Sequence, residues 1–169
     1  MSALPSRDGM KLIVPMTYAP NARSPASRAA LDRAERAADQ ADREEPPAWI
    51  DYFDRGRLAG FAGICHIRLD RPKEALAPLG EALRALPEAA VKHRSVLLTD
   101  LATAKVKQGE LDEGCQIATE SLRIATMMKG VSAMKRLREF TRELEPWQAT
   151  TQVRQFEEQL RTGVQTVGL

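Results

Sequence analysis

Shifted by 39 residues, the chain falls onto itself: Leu69 to Leu86 lies on Gln108 to Ala125, with Glu74 over Glu113, Glu81 over Glu120, and Leu83-Arg84 over Leu122-Arg123. The helix-turn-helix boundaries coincide as well. Each copy is a pair of segments with apolar residues at helical spacing, and such a pair has an apolar face that only a stacked neighbour covers. The repeat therefore restricts the fold to an all-α solenoid of paired helices. At 169 residues the chain is long enough for one such domain with a real core.

Punctuation along the chain divides it further. Residues 1 to 23 carry Pro5, Gly9, Pro15 and Pro20 without a sustained period, which predicts a flexible N-terminal arm. Ser24-Pro25 has the form of a helix start, serine as N-cap and proline in the first turn, where a missing N–H does no harm. Leu31, Ala34, Ala38 and Ala41 then form a narrow stripe opposite Arg33, Glu35, Arg36 and Asp39. Pro46-Pro47 ends that helix, and a second runs from Ala48 or Trp49 to about Leu69. A third spans Pro72 to Leu86 before Pro87. A fourth, through Leu97, Leu101 and Val106, stops at Gly109 with a left-handed cap. Leu111 to Met127 is its partner, closed by Gly130. Met134, Leu137, Phe140 and Leu144 mark a helix before Pro146, and Val153, Phe156 and Leu160 mark the last. The expectation is about seven antiparallel helices over residues 24 to 162, followed by a tail at 163 to 169.

Composition and motifs narrow the function. The net charge of +2 balances 25 basic against 23 acidic side chains, so no dedicated basic surface for nucleic acid is indicated. Cys65 and Cys115 lack the paired spacing of a zinc site or a secreted disulfide scaffold, and no segment has the length of a signal-peptide core or a membrane span. A reducing, cytoplasmic setting follows as the expectation. No phosphate loop, nucleophile elbow or paired-carboxylate motif is present, so no enzyme, cofactor or metal is expected. Cys65-His66 invites a thiol-and-base reading, but adjacent helical side chains point about 100° apart, and the two read better as packing residues. His93, in the loop-to-helix region, pairs with neither cysteine in the sequence pattern.

The stretch GICHIRLDRPKEALAPLGEALRALP, Gly63 to Pro87, resembles the tetratricopeptide repeat: Gly63 where two helices cross closely, Ala75 early in the second helix, Leu79 four later, Ala82 at the next small position and Pro87 at its end. His66 and Ala59 depart from the family's tyrosine and tryptophan. The second copy keeps Leu101, Ala102 and Gly109, but has Gly114 for the early alanine and Thr126 for the proline. The period exceeds the usual length of about 34, which places the excess in a loop around Glu88 to Lys92. PPAWIDYFDRGRLAGFAGICHIRLDRPKEA, LLTDLATAKVKQGELDEGCQIA and LREFTRELEPW are similar to the C-terminal tetratricopeptide region of actinobacterial helix-turn-helix transcriptional regulators. The DNA-binding domain of that family is not in this chain. The resemblance implies upstream repeats, so the helix from Ser24 reads as the second half of a repeat, with an apolar edge that a second copy of the chain would cover.

By the same resemblance, the first helix of each pair lines an inner groove. The positions are Arg57, Gly60, Ile64, Ile67 and Arg68, then Val96, Thr99, Thr103, Val106 and Lys107. Gly60 and Ile64 stand where some family members clamp a peptide carboxylate with asparagine and lysine, so the expected partner is a hydrophobic or amphipathic protein segment or peptide. Burial of Ile64, Ile67 and Val106 against other helices is the open alternative. Trp49, Tyr52 and Phe53 form the aromatic cluster, open to a role as interaction hot spot or as core. The leading expectation is a regulatory interaction module without direct nucleic-acid or membrane binding. A sensor for a small molecule or signalling peptide, and a structural subunit working with a separate DNA-binding protein, are its rivals. Charged runs such as Lys135 to Arg142 read as solvated helix faces.

Overall fold

The computed structural model describes residues 55–168 and, ahead of them, Ala29, Asp32, Arg33 and Arg36, all four helical. The remainder of the expected Ser24 helix, and Trp49, Tyr52 and Phe53, lie outside the described residues. The fold is all-α. Among the described residues six α-helices follow one another: α1 (Arg55–Arg68), α2 (Pro72–Ala85), α3 (Val91–Lys107), α4 (Leu111–Met127), α5 (Val131–Phe140) and α6 (Thr151–Val167). A 3-10 helix, Thr141–Trp147, joins α5 to α6, and no strand occurs among these residues.

Two turns 39 residues apart are built alike. After α1, Asp70 takes a left-handed conformation at φ 58°. Its N–H donates to the Ile67 carbonyl at 3.0 Å, and the Arg71 N–H donates to that of His66 at 2.9 Å. After α3, Gly109 sits at φ 86°. Its N–H donates to the Val106 carbonyl at 2.9 Å, and the Glu110 N–H donates to that of Lys105 at 3.1 Å. In both places the bond reaching back five residues satisfies carbonyls that the helix end leaves open, and the chain reverses within a few residues. The same device closes α4, where the Gly130 N–H donates to the Ala125 carbonyl at 2.8 Å. Here the left-handed residue is Lys129, at φ 49°, one position before the closing Gly130. Gly130 has φ −82° and serves as the N-cap of α5.

Such tight turns make consecutive helices antiparallel neighbours. The most extensive packing is α1 on α2 and α3 on α4, and α2 with α3, α4 with α6 and α3 with α5 tie the pairs together. Small residues allow the close crossings. A Cβ on Gly63 would lie 2.5 Å from Leu79 Cγ, and one on Gly114 would lie 2.5 Å from Val106 Cγ2 and 3.2 Å from the Ala102 carbonyl oxygen. Ala75, Leu79 and Ala82 are fully buried with Leu97 and Ala104 in one cluster. A larger cluster gathers Ala102 and Val106 with residues of α4 to α6, and includes Phe140 edge-on to Phe156 at 5.4 Å between ring centres. α3 thus contributes to both.

Three boundaries differ from the expectation. α3 begins at Val91, so Lys92 belongs to a helix and the connection from α2 spans only residues 86–90. α5 ends at Phe140, and Leu144 and Pro146 lie in the 3-10 segment, whose tighter winding carries the chain toward α6. α6 continues through Val167, so residues 163–167 are helical, with Gly163 buried and within 2.9 Å, at its missing Cβ, of Leu122 Cδ1. No helix among the described residues is long and apolar enough to cross a membrane.

Candidate functional site

Three alternate helices, α1, α3 and α5, present residues to one open cleft of about 380 Å³. From α1 come Ile64, Ile67 and Arg68, from α3 Thr99, Asp100 and Thr103, and from α5 Lys135, Arg136, Glu139 and Phe140, with Glu143 closing the rim from the 3-10 segment. Spacings of three and four place each set on one helix face.

Asp100 dominates the electrostatics. Only 5% of it is exposed. Its Oδ1 accepts a hydrogen bond from Arg136 Nη1 across the cleft, whereas Oδ2 is buried and has no hydrogen-bond partner. Burial is the main influence on this carboxyl and pushes it up from 3.8 to about 6, against the opposing pull of Arg136 and, more weakly, Arg68; Glu139 adds to the rise. At the rim, Lys107 Nζ bridges Asp70 at 3.2 Å and Glu143 at 3.3 Å. Partial burial works to lower this ammonium, but its two carboxylate partners together outweigh that, and it titrates above its ordinary value. Lys107 thereby straps the α1–α2 turn to the 3-10 segment.

Beneath the cleft, Thr99 and Ser121 are buried with their hydroxyls 2.7 Å apart, and Ser121 Oγ lies 2.6 Å from the Ser95 carbonyl oxygen. Each hydroxyl has a single hydrogen. Thr99 Oγ1 also lies 3.0 Å from the Ser95 carbonyl oxygen, so two hydroxyl hydrogens serve three contacts, which tie α3 to α4 through a polar link inside the core.

Ile64, Ile67, Arg68, Thr99 and Thr103 of the expected groove come together here. Val106 does not: it is 1% exposed and belongs to the core, because α3 is packed on both sides and the face carrying Val106 meets α4. Gly60 is buried, with Leu97 Cδ2 3.3 Å from where its Cβ would be, and Val96 packs on the larger core cluster. Lys107 stands at the edge, committed to two carboxylates. Arg57 borders a separate hollow of about 100 Å³ beside Leu86 and His93. Asp100, Lys135, Arg136 and Glu139 were not anticipated. The signal for Asp100 was a carboxylate between Leu98 and Leu101 in an otherwise apolar stretch, and Arg136 was taken up in a charged run read as solvated.

Elsewhere, burial and then the Asp112 charge push the Cys115 thiol up, which keeps it protonated and poorly nucleophilic. Among the described residues no three His, Cys, Asp or Glu side chains gather as a metal-binding group. The geometry defines a helical protein with a mixed apolar and charged cleft between its odd-numbered helices. No protein-family model matches the chain, and no match to a curated protein or to a solved structure was found.

Proposed function

We propose that this chain is a tetratricopeptide-like, regulatory interaction module that holds a peptide segment of a partner protein in the cleft between α1, α3 and α5. The observation that carries the reading is the convergence of side chains from α1, α3 and α5 on one open cleft. Stacked helix pairs use that surface to engage extended or helical segments. Ile64 and Ile67 offer an apolar wall, and the Asp100–Arg136 pair with Lys135 and Arg68 supplies polar selection. Like spacing of the turns at Asp70 and Gly109, and the close crossings at Gly63 and Gly114, support a repeated helix pair as the building unit. The association with transcriptional control rests on the sequence resemblance described above.

The test is selection from a displayed random-peptide library on the immobilised full chain, followed by affinity measurement on the parent and on Ile64→Asp. Ile64 is half-buried on the cleft wall. Selected peptides are expected to lose at least about tenfold in affinity on the variant, the scale of one interface hot spot, while its circular dichroism stays that of the parent. Enrichment of nothing, or equal affinity for both chains, refutes the reading.

A further inference from the structure

The sharpest requirement on any occupant of the cleft comes from Asp100 Oδ2, a buried acceptor on a carboxylate without a hydrogen-bond partner. A buried polar atom left in that state is costly and calls for a donor. Asp100 borders the cleft, and the last side-chain torsion of aspartate is soft and two-fold, so an occupant that reaches the carboxylate satisfies this oxygen by turning it.

The charges around it decide what kind of donor fits. Arg136 and Lys135 on α5 and Arg68 on α1 face the cleft. An incoming ammonium or guanidinium meets those cations. An incoming carboxylate meets Asp100 together with Glu139 on α5 and Glu143 in the 3-10 segment. A neutral group with an N–H donor beside a carbonyl acceptor avoids both repulsions. Its N–H donates to Asp100 Oδ2, and its carbonyl accepts from the guanidinium of Arg136, which has donors beyond the one used on Oδ1. The volume of about 380 Å³ is near the small end of ligand pockets, about 300–1,000 Å³, and suits one long side chain with its neighbours. Asp100 is only 5% exposed, so a carboxamide that reaches it needs a side chain longer than asparagine's, and glutamine has the extra methylene.

We propose that the cleft takes a glutamine side chain of a partner peptide, its carboxamide docked on the Asp100–Arg136 pair and its apolar neighbours laid on Ile64 and Ile67. This rests on the peptide-docking reading above.

The experiment compares four capped peptides on the full chain: acetyl-Leu-Gln-Leu-N-methylamide and its counterparts with Met, Lys or Glu at the centre. Binding is followed by NMR at the Asp100 carboxyl carbon and the methyl groups of Ile64 and Ile67. The glutamine peptide is expected to bind about tenfold tighter than the methionine peptide, as one hydrogen bond to a charged group warrants, with the lysine and glutamate peptides weaker still. Its advantage should fade as pH falls through about 6, because a protonated Asp100 no longer accepts in the ionised form that the carboxamide N–H favours. Asp100→Asn should erase the glutamine advantage and leave the methionine peptide unaffected. Because the peptide comparison uses the parent chain, it stands whether or not the variant folds. Equal binding of the glutamine and methionine peptides, with shifts at Ile64 and Ile67, overturns the carboxamide proposal and leaves peptide docking intact. A preference for lysine or glutamate overturns it in favour of charge recognition. Silence of all three probes with every peptide overturns this proposal and the docking reading together.

Discussion

Replacing Asp100 by asparagine keeps the side chain's shape and an acceptor for Arg136 while removing a buried charge. The folded carboxyl titrates at about 6 and the reference value is 3.8, so between those values the folded chain holds a proton that the unfolded chain has released. Stability therefore falls as pH rises from about 4 to about 6 and stays lowered above that. At about 1.4 kcal/mol for each tenfold change, the deficit at neutral pH is about 3 kcal/mol. The pull of Arg136 is already contained in the folded value, so Asp100→Asn is expected to be more stable than the parent by up to about 3 kcal/mol near pH 7, with the gap closing near pH 4. Removing one member of a buried ion pair is ordinarily destabilising by about 3–5 kcal/mol, because the partner is left buried and unpaired. Arg136 keeps 30% of its side-chain surface exposed and can rehydrate, which is why the opposite sign is expected here. Urea denaturation followed by circular dichroism across that pH range measures the difference. An asparagine variant less stable than the parent at neutral pH would show that the ion pair outweighs the burial of its charge, and would refute the reasoning.

Three further tests address the fold. Gly63→Ala should lower stability by about 1–3 kcal/mol through overpacking against Leu79, and Gly114→Ala by more, since its Cβ also meets backbone atoms of Ala102 and Val106. Gly80→Ala, whose Cβ meets only the Arg84 guanidinium at 3.4 Å, should instead gain about 0.5–1 kcal/mol from helix propensity; thermal unfolding of the three variants ranks them, and a neutral Gly63→Ala would contradict the close crossing. Lys129→Gly is expected to stabilise by about 1 kcal/mol and Gly109→Ala to destabilise by a similar amount, because both positions are left-handed; chemical denaturation showing the same sign for both would reject that account. Lys107→Met should change stability by less than about 1 kcal/mol, the usual range for ion pairs near the surface, and a larger loss would show the strap to be structural.

What the sequence made legible was carried by local pattern. The 39-residue shift that superposes Glu74 on Glu113 also superposes Asp70 on Gly109, and these are the two left-handed turn residues. Asp70 escaped notice because an aspartate advertises that conformation less plainly than a glycine does. Lys129 escaped for the same reason, with Gly130 next to it drawing attention. Gly63, Ala75, Leu79 and Ala82 could be placed in the core because helix crossings this tight admit only small or interlocking side chains. Val106 could not, since α3 buries Ser95, Leu97, Thr99, Asp100, Ala102, Ala104 and Val106 around much of its circumference, and a helix packed on several sides loses the one-sided period that tells core from groove. The Asp100–Arg136 pair joins residues 36 apart on helices of different pairs. Its existence depends on how one pair is set against the next, which no local spacing encodes. The cleft is thus half legible in the sequence: its α1 and α3 walls follow from local pattern, whereas its α5 wall has the pattern of a solvated face.

The position of α3 between two core clusters has a consequence for how the molecule opens. On its α1–α2 side the described buried set is three alanines with Leu79 and Leu97, whereas the other side holds two phenylalanines and a dozen more residues. Cooperative units of a protein exchange their amide hydrogens at free energies that follow such differences in buried apolar contact. Amides of α1 and α2 should therefore exchange through a partial opening that leaves the rest closed. Those at the centre of α3, shielded from both directions, should wait for the whole molecule to unfold.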